Sequence, residues 1–256
     1  MFNFMDGLLA AAATLFVSPA VPVLGLLCLR RQLFYSSLKA MKTIICYGDS
    51  NTWGADPATG GRFDHRTRWT GRLKELLNRG ADPENPAYWI VEEGLNGRTT
   101  CREDPIEGDK NGLRQLLPIL QSHAPLDLVI IMLGTNDLKI RFNPTAYDIA
   151  RGAQLVAKAA QRSEAFPPGA EPRVLMICPP HTARLSYFKP IFGDCGEISR
   201  QLAPRYRQFA KEIGANFLDA GEYIRSSDLD GIHLEASEHA KLAEVVAQKV
   251  REILQP

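Results

Sequence analysis

From residue 41 onward, short apolar runs alternate with longer stretches in which apolar positions recur every three or four residues. This alternation predicts a parallel sheet covered by helices. The runs at residues 43–47, 88–92, 128–133, 173–178 and 216–219 read as strands, and their continuous apolar character suits strands buried on both faces. Between them, residues 67–79 form a helical pattern closed by Gly80, and Leu113, Leu116, Leu117 and Leu120 make a stripe despite Pro118. Asn143 followed by Pro144 reads as a cap with proline at the first helical position, opening a helix to about residue 160. Residues 198–213 form a helix ending at Gly214, and residues 237–254 close the chain. The expected fold class is α/β: a three-layer α/β/α sandwich around a five-stranded parallel sheet.

On such a sheet, ligands collect beyond the carboxyl ends of the strands. Three polar motifs fall there: Gly48-Asp49-Ser50-Asn51 after the first strand, Leu95-Asn96-Gly97-Arg98 after the second and Gly134-Thr135-Asn136-Asp137 after the third. A fourth, Asp230-Gly231-Ile232-His233, precedes the last helix. A serine hydroxyl is a poor nucleophile unless a base removes its proton and preorganised donors receive the charge that develops on the attacked oxygen. One turn suffices to set Asp230 against one imidazole nitrogen of His233, which leaves the other nitrogen for Ser50.

Composition narrows the field. With 256 residues, 45% of them hydrophobic, the chain can bury one substantial core. Its 30 basic and 29 acidic residues give a net charge of +1 without a basic block, so a nucleic-acid partner has no electrostatic footprint. Cys28, Cys46, Cys101, Cys178 and Cys195 form no CxxC pair, and reduced thiols in or beside the core are expected. Residues 1–40 differ in kind from the rest. Residues 8–29 carry no charge and are long enough to span a bilayer, although Pro19 and Pro22 interrupt them. A membrane anchor is one reading; the preferred one is a dispensable extension ahead of a domain that starts at Met41, with a cytoplasmic location. A cleaved secretory signal fits less well, because Asp6 is the only charge before the apolar run.

The chain resembles the SGNH, or GDSL-type, hydrolases from residue 42 to 254, and is similar in particular to their mycobacterial-type arylesterase and acyltransferase branch. Gly48-Asp49-Ser50 with Thr52-Trp53-Gly54, Glu92-Glu93-Gly94-Leu95 with Arg98-Thr99-Thr100, the stretch 126–137, and the 230–233 motif carry that likeness. The resemblance implies a flavodoxin-like fold, with Ser50 as nucleophile, His233 as base and Asp230 as its partner. It implies an oxyanion hole made of the Ser50 amide, the Gly97 amide and the Asn136 side chain, with Gly97 rather than Gly94 filling the second block. Asn51, Trp53, Ala55 and His181 are expected at the substrate pocket. Ala55 stands where that branch carries a bulky aromatic, so a wider and more hydrolytic site is expected. The branch also implies self-association, as octamers, and residues 187–195, with their aromatics, are a candidate interface.

Other side chains have simpler explanations. Asp49 and Asp137 are expected to hydrogen-bond loop amides. Glu235 and His239 have helical i,i+4 spacing that a solvated helix face explains, so neither they nor Glu238 are read as ligands and no metal or cofactor is expected. His65 and His123 stand alone, and Trp69 and Phe192 read as packing residues. The expected function is a serine esterase acting on short-chain acyl and aryl esters through an acyl-enzyme, with acyl transfer and perhydrolysis as side activities that the resemblance implies. A carbohydrate O-acetylesterase on the same fold is the alternative, and a membrane-tethered binding protein without turnover is a weaker third.

Overall fold

The computed structural model describes residues 41–254, so the expectations for residues 1–40, Cys28 included, lie outside the described residues. Five strands form one sheet: β1 (Lys42–Gly48), β2 (Tyr88–Gly94), β3 (Leu128–Met132), β4 (Val174–Cys178) and β5 (Asn216–Asp219). All pairings are parallel and the spatial order is β2-β1-β3-β4-β5, the flavodoxin-like arrangement whose crevice opens between β1 and β3.

Alternation along the strands explains the two layers. Ile45 and Tyr47 of β1, with Val129 and Ile131 of β3, face one helical layer; Ile44, Cys46, Leu128 and Ile130 face the other. The first layer holds α3 (Gly112–Ser122), α4 (Ala146–Gln161) and α7 (Leu202–Glu212). The second holds α2 (Trp69–Leu77) and α8 (Ala236–Leu254), with Trp69, Leu73, Leu242 and Val246 fully buried between helices and sheet. Each such large side chain contributes roughly 1.5–3 kcal/mol by leaving water. In α3, Leu116 and Leu120 are buried but Leu117 is 43% exposed, on the side that also carries Pro118.

Two helix boundaries differ from expectation. Asn143 does not cap α4: it adopts a left-handed conformation that closes a 3₁₀ turn over Ile140–Phe142. Thr145 is the cap, accepting from the Asp148 amide at 3.1 Å while its hydroxyl donates to the Asp148 carboxylate at 2.7 Å. The single helix expected over residues 198–213 is two, α6 (Gly196–Arg200) and α7, which meet at Gln201. Pro204 explains the break, because it has no N–H to give and its ring crowds the carbonyl of Arg200. Two short helices complete the set: α1 (Ser50–Trp53) directly after β1, and α5 (Lys189–Phe192) in the loop after β4. Among the described residues no helix is long and apolar enough to cross a membrane.

Candidate active site

The carboxyl ends of β1 and β2 finish together, with Gly48 beside Gly94. A Cβ on Gly94 would collide with the Trp53 backbone, and one on Gly48 with the Thr52 side chain and the Met132 carbonyl. The two glycines thus let α1 seat directly on the end of the sheet, which puts Ser50 at its first turn. Asp49 caps that turn by accepting the Asn51 amide at 2.9 Å. Gly94 therefore has a packing role. Gly97, by contrast, takes a positive φ of 80°, in the loop that carries the chain past Ser50.

The loop before α8 brings the remaining groups to Ser50. Gly231, at φ 92°, turns the chain so that Asp230 Oδ1 accepts the Ile232 and His233 amides, both at 3.0 Å. Its Oδ2 lies 2.6 Å from His233 Nδ1, and His233 Nε2 lies 2.9 Å from Ser50 Oγ. A carboxylate only accepts, so Nδ1 carries the ring proton and Nε2 is left to accept from the Ser50 hydroxyl. Burial pushes the Asp230 carboxyl up, but the hydrogen bonds from the His233 ring and from the His233 and Ile232 amides outweigh it and hold the group below its ordinary value. Phe188 stands edge-on to the His233 ring at 5.7 Å, fixing its outer side.

Asn136 opens a 3₁₀ turn after β3 and donates from Nδ2 to the Arg98 carbonyl at 3.2 Å, which joins it to the loop of Gly97. Arg98 is buried. Its guanidinium donates to the carbonyls of Gly48 and Glu93 at 2.8 and 2.5 Å and lies over the Tyr47 ring. Ser50, Gly97, Asn136, Asp230 and His233 all line one cavity of about 500 Å³.

Of the four residues expected at the substrate pocket, only Ala55 lines this cavity. Asn51 is instead a clamp: its Nδ2 donates to the Ile232 carbonyl at 3.0 Å and its Oδ1 accepts the Leu234 amide at 3.1 Å, so one amide brackets His233 on both sides. Trp53 lies off the cavity under the Arg62 guanidinium, which also donates to its carbonyl. The His181 ring lies beside Gly221, beyond the end of β5. The other side of the cavity is formed by Tyr187, Phe188, Ile191 and Phe192 from the loop after β4, residues whose sequence suggested an interface or packing rather than a pocket wall.

The solvated face expected for Glu235 and His239 holds for Glu235, which is exposed, but not for His239. His239 is fully buried, takes the Trp69 amide on Nδ1 at 3.3 Å and is pushed down to about 4 by burial, so it stays neutral. Glu235 accepts from the Ser227 hydroxyl at 2.7 Å. Cys46, Cys178 and Cys195 are buried thiols and Cys101 is half-buried.

Asp49 and Asp137 do bind loop amides, and both are buried. Asp137 accepts from the Thr100 amide at 2.9 Å and from its hydroxyl at 2.5 Å, yet burial raises its carboxyl from 3.8 to about 6. A carboxyl raised on folding holds its proton more tightly in the native state. Its contribution is therefore complete below about pH 4 and is lost as pH rises to about 6. The neutral Asp137→Asn variant escapes that loss. Its stability relative to wild type, read from urea unfolding, is expected to climb between about pH 4 and 6 and then level. A flat difference across that window would remove buried charge as the cause.

An α/β sandwich with a hydrogen-bonded Ser–His–Asp set beyond its switch point defines the class, an ester hydrolase of the SGNH fold. The chain belongs to the GDSL-like Lipase/Acylhydrolase family, whose profile matches residues 46–241, and it is a carboxylic ester hydrolase. Among solved structures it is similar to the M. smegmatis aryl esterase, at 38% identity and a TM-score of 0.76 over 83% of this chain and 100% of that one. Est24, a carbohydrate acetylesterase from Sinorhizobium meliloti, aligns at 36% identity and a TM-score of 0.76, again over 83% and 100%. A protein of Agrobacterium tumefaciens str. C58, provisionally named an arylesterase, aligns at 41% identity and a TM-score of 0.76 over 84% and 100%. Among curated protein sequences none matches.

Proposed function

We propose that this protein hydrolyses short-chain acyl and aryl esters through an acyl-enzyme formed on Ser50. The observation that supports this most directly is the relay Ser50–His233–Asp230, with 2.9 and 2.6 Å links, opening on a cavity. Ser50 Oγ attacks the ester carbonyl as its proton passes to His233 Nε2, and Asp230 stabilises the imidazolium. The amides of Ser50 and Gly97 and the second N–H of Asn136 Nδ2 receive the oxyanion. Collapse expels the alcohol, which takes its proton from His233; water then attacks the acyl-enzyme with the same histidine as base.

A cavity of about 500 Å³, walled by Ala55, Ile191, Phe192 and Ile232, suits a short acyl chain. With a p-nitrophenyl ester series, kcat/KM is expected to be highest for the shortest acyl groups and to fall as the chain outgrows the cavity. Added short alcohol should divert a modest part of the acyl group into a new ester, since an acyl-enzyme partitions among nucleophiles that reach its carbonyl. Absence of p-nitrophenyl acetate turnover would sink the reading. Carbohydrate O-acetyl esters are a second substrate class, favoured by the polar side of the cavity formed by Asn96, Glu107 and Lys139 and by the name of the S. meliloti relative.

Self-association belongs to the same proposal. Tyr187 is 80% exposed, Ile140 55% and Leu229 54%, and apolar groups so placed support an interface between copies, octameric by the resemblance. Sedimentation velocity tests it, and cell fractionation tests the cytoplasmic location.

A further inference from the structure

The cavity wall next to Gly97 is charged. Lys139 lines it while only 2% exposed, with its ammonium 2.6 Å from Glu107 Oε1 and 3.3 Å from Asp104 Oδ2. Arg141 reaches the same two oxygens, at 2.5 and 2.6 Å. Asp104 also shapes the loop, its Oδ1 accepting the Ile106 and Glu107 amides at 3.0 and 3.1 Å. Two cations and two carboxylates thus form a neutral, braced cluster that fixes the Glu107 side chain.

Both cations end on Oε1 of Glu107. The other oxygen, Oε2, lies against Gly97, where an added Cβ would collide with it. None of the hydrogen bonds among the described residues ends on Oε2, and the Glu107 side chain keeps 34% exposure at the cavity. An acceptor so placed repels a carbonyl oxygen and asks for a donor. An ammonium is a poor match, because Lys139 and Arg141 already cancel the local negative charge. An uncharged hydroxyl meets the requirement. The acyl chain has its own apolar side, at Phe188, Ile191, Phe192 and Ile232, so the donor falls to the alcohol half of the ester.

We propose that Glu107 Oε2 is a specificity-determining acceptor for a free hydroxyl on the alcohol half of the substrate, so that monoesters of polyols are preferred over the same esters lacking that hydroxyl. This rests on the esterase reading above. One hydrogen bond to a charged acceptor corresponds to about tenfold to a hundredfold in kcat/KM.

Ethylene glycol monoacetate and n-propyl acetate differ by a hydroxyl in place of a methyl group. Acid release from each is measured by pH-stat, and kcat/KM is divided by the ester's rate of alkaline hydrolysis. The wild-type ratio is expected to favour the glycol ester at least about tenfold, to fall near one in Glu107→Ala and to be intermediate in Glu107→Gln. Circular dichroism establishes folding, and Glu107→Gln carries the test if Glu107→Ala does not fold. A wild-type ratio near one, an unchanged ratio in a folded variant, or a preference for acetylcholine over both esters would overturn the proposal. Wild-type turnover of p-nitrophenyl acetate separates the two failures: its absence sinks the esterase reading, whereas its presence without a hydroxyl preference sinks only the role of Glu107.

Discussion

Ester turnover by the Ser50→Ala protein is expected to fall by about 10⁴ or more while the fold survives. In the proposed mechanism nucleophile and base act as one unit, so removing the hydroxyl would discard the acyl-enzyme route rather than slow it. The fold has little to lose. Among the described residues the Ser50 hydroxyl bonds to His233 alone, and the Ser50 carbonyl still accepts the Gly54 and Ala55 amides at 2.8 and 3.0 Å when the side chain is alanine. Initial rates with p-nitrophenyl acetate, together with circular dichroism, check both halves of the expectation. A folded alanine variant within tenfold of wild type would end the assignment of Ser50 as nucleophile.

The centre of the sheet was legible because β1, β3 and β4 are apolar on both faces, a pattern that needs no tertiary information, whereas the edge strands β2 and β5 are buried only in part. Ser50, Gly97 and Asn136 were legible for a related reason: each lies just past the end of a strand, and parallel strands bring their trailing loops to one edge. Side chains whose partners are remote in sequence were not. Asn51 reads as a neighbour of Ser50, and nothing local says that its amide spans Ile232 to Leu234, 181 to 183 residues away. His239 has the spacing of a surface residue beside Glu235, yet Trp69, 170 residues earlier, covers it and donates to it. The split between α6 and α7 was available in Pro204, but the apolar periodicity runs across it. Glu107 had no local signal at all, since its meaning comes from Gly97 on one side and from Lys139 and Arg141 on the other.

Replacing Asn136 by alanine is expected to cost about 10²–10³ in kcat with a much smaller effect on KM. Negative charge on the carbonyl oxygen appears only as Ser50 attacks, so a donor aimed at it stabilises the transition state far more than the bound ester. Asn136 suits that task because one Nδ2 hydrogen is tied to the Arg98 carbonyl at 3.2 Å, which fixes the amide and leaves the second hydrogen for the substrate. The loop behind it is held as well: the Tyr206 hydroxyl donates to the Leu133 carbonyl at 2.8 Å, and Gly134 takes a φ of 127° against that phenol. The alanine variant should therefore keep its backbone and lose one donor. Steady-state kinetics with p-nitrophenyl acetate separate the alternatives, because a defect in binding would raise KM and spare kcat. A loss below tenfold would remove Asn136 from the oxyanion hole and leave the amides of Ser50 and Gly97 to receive the charge.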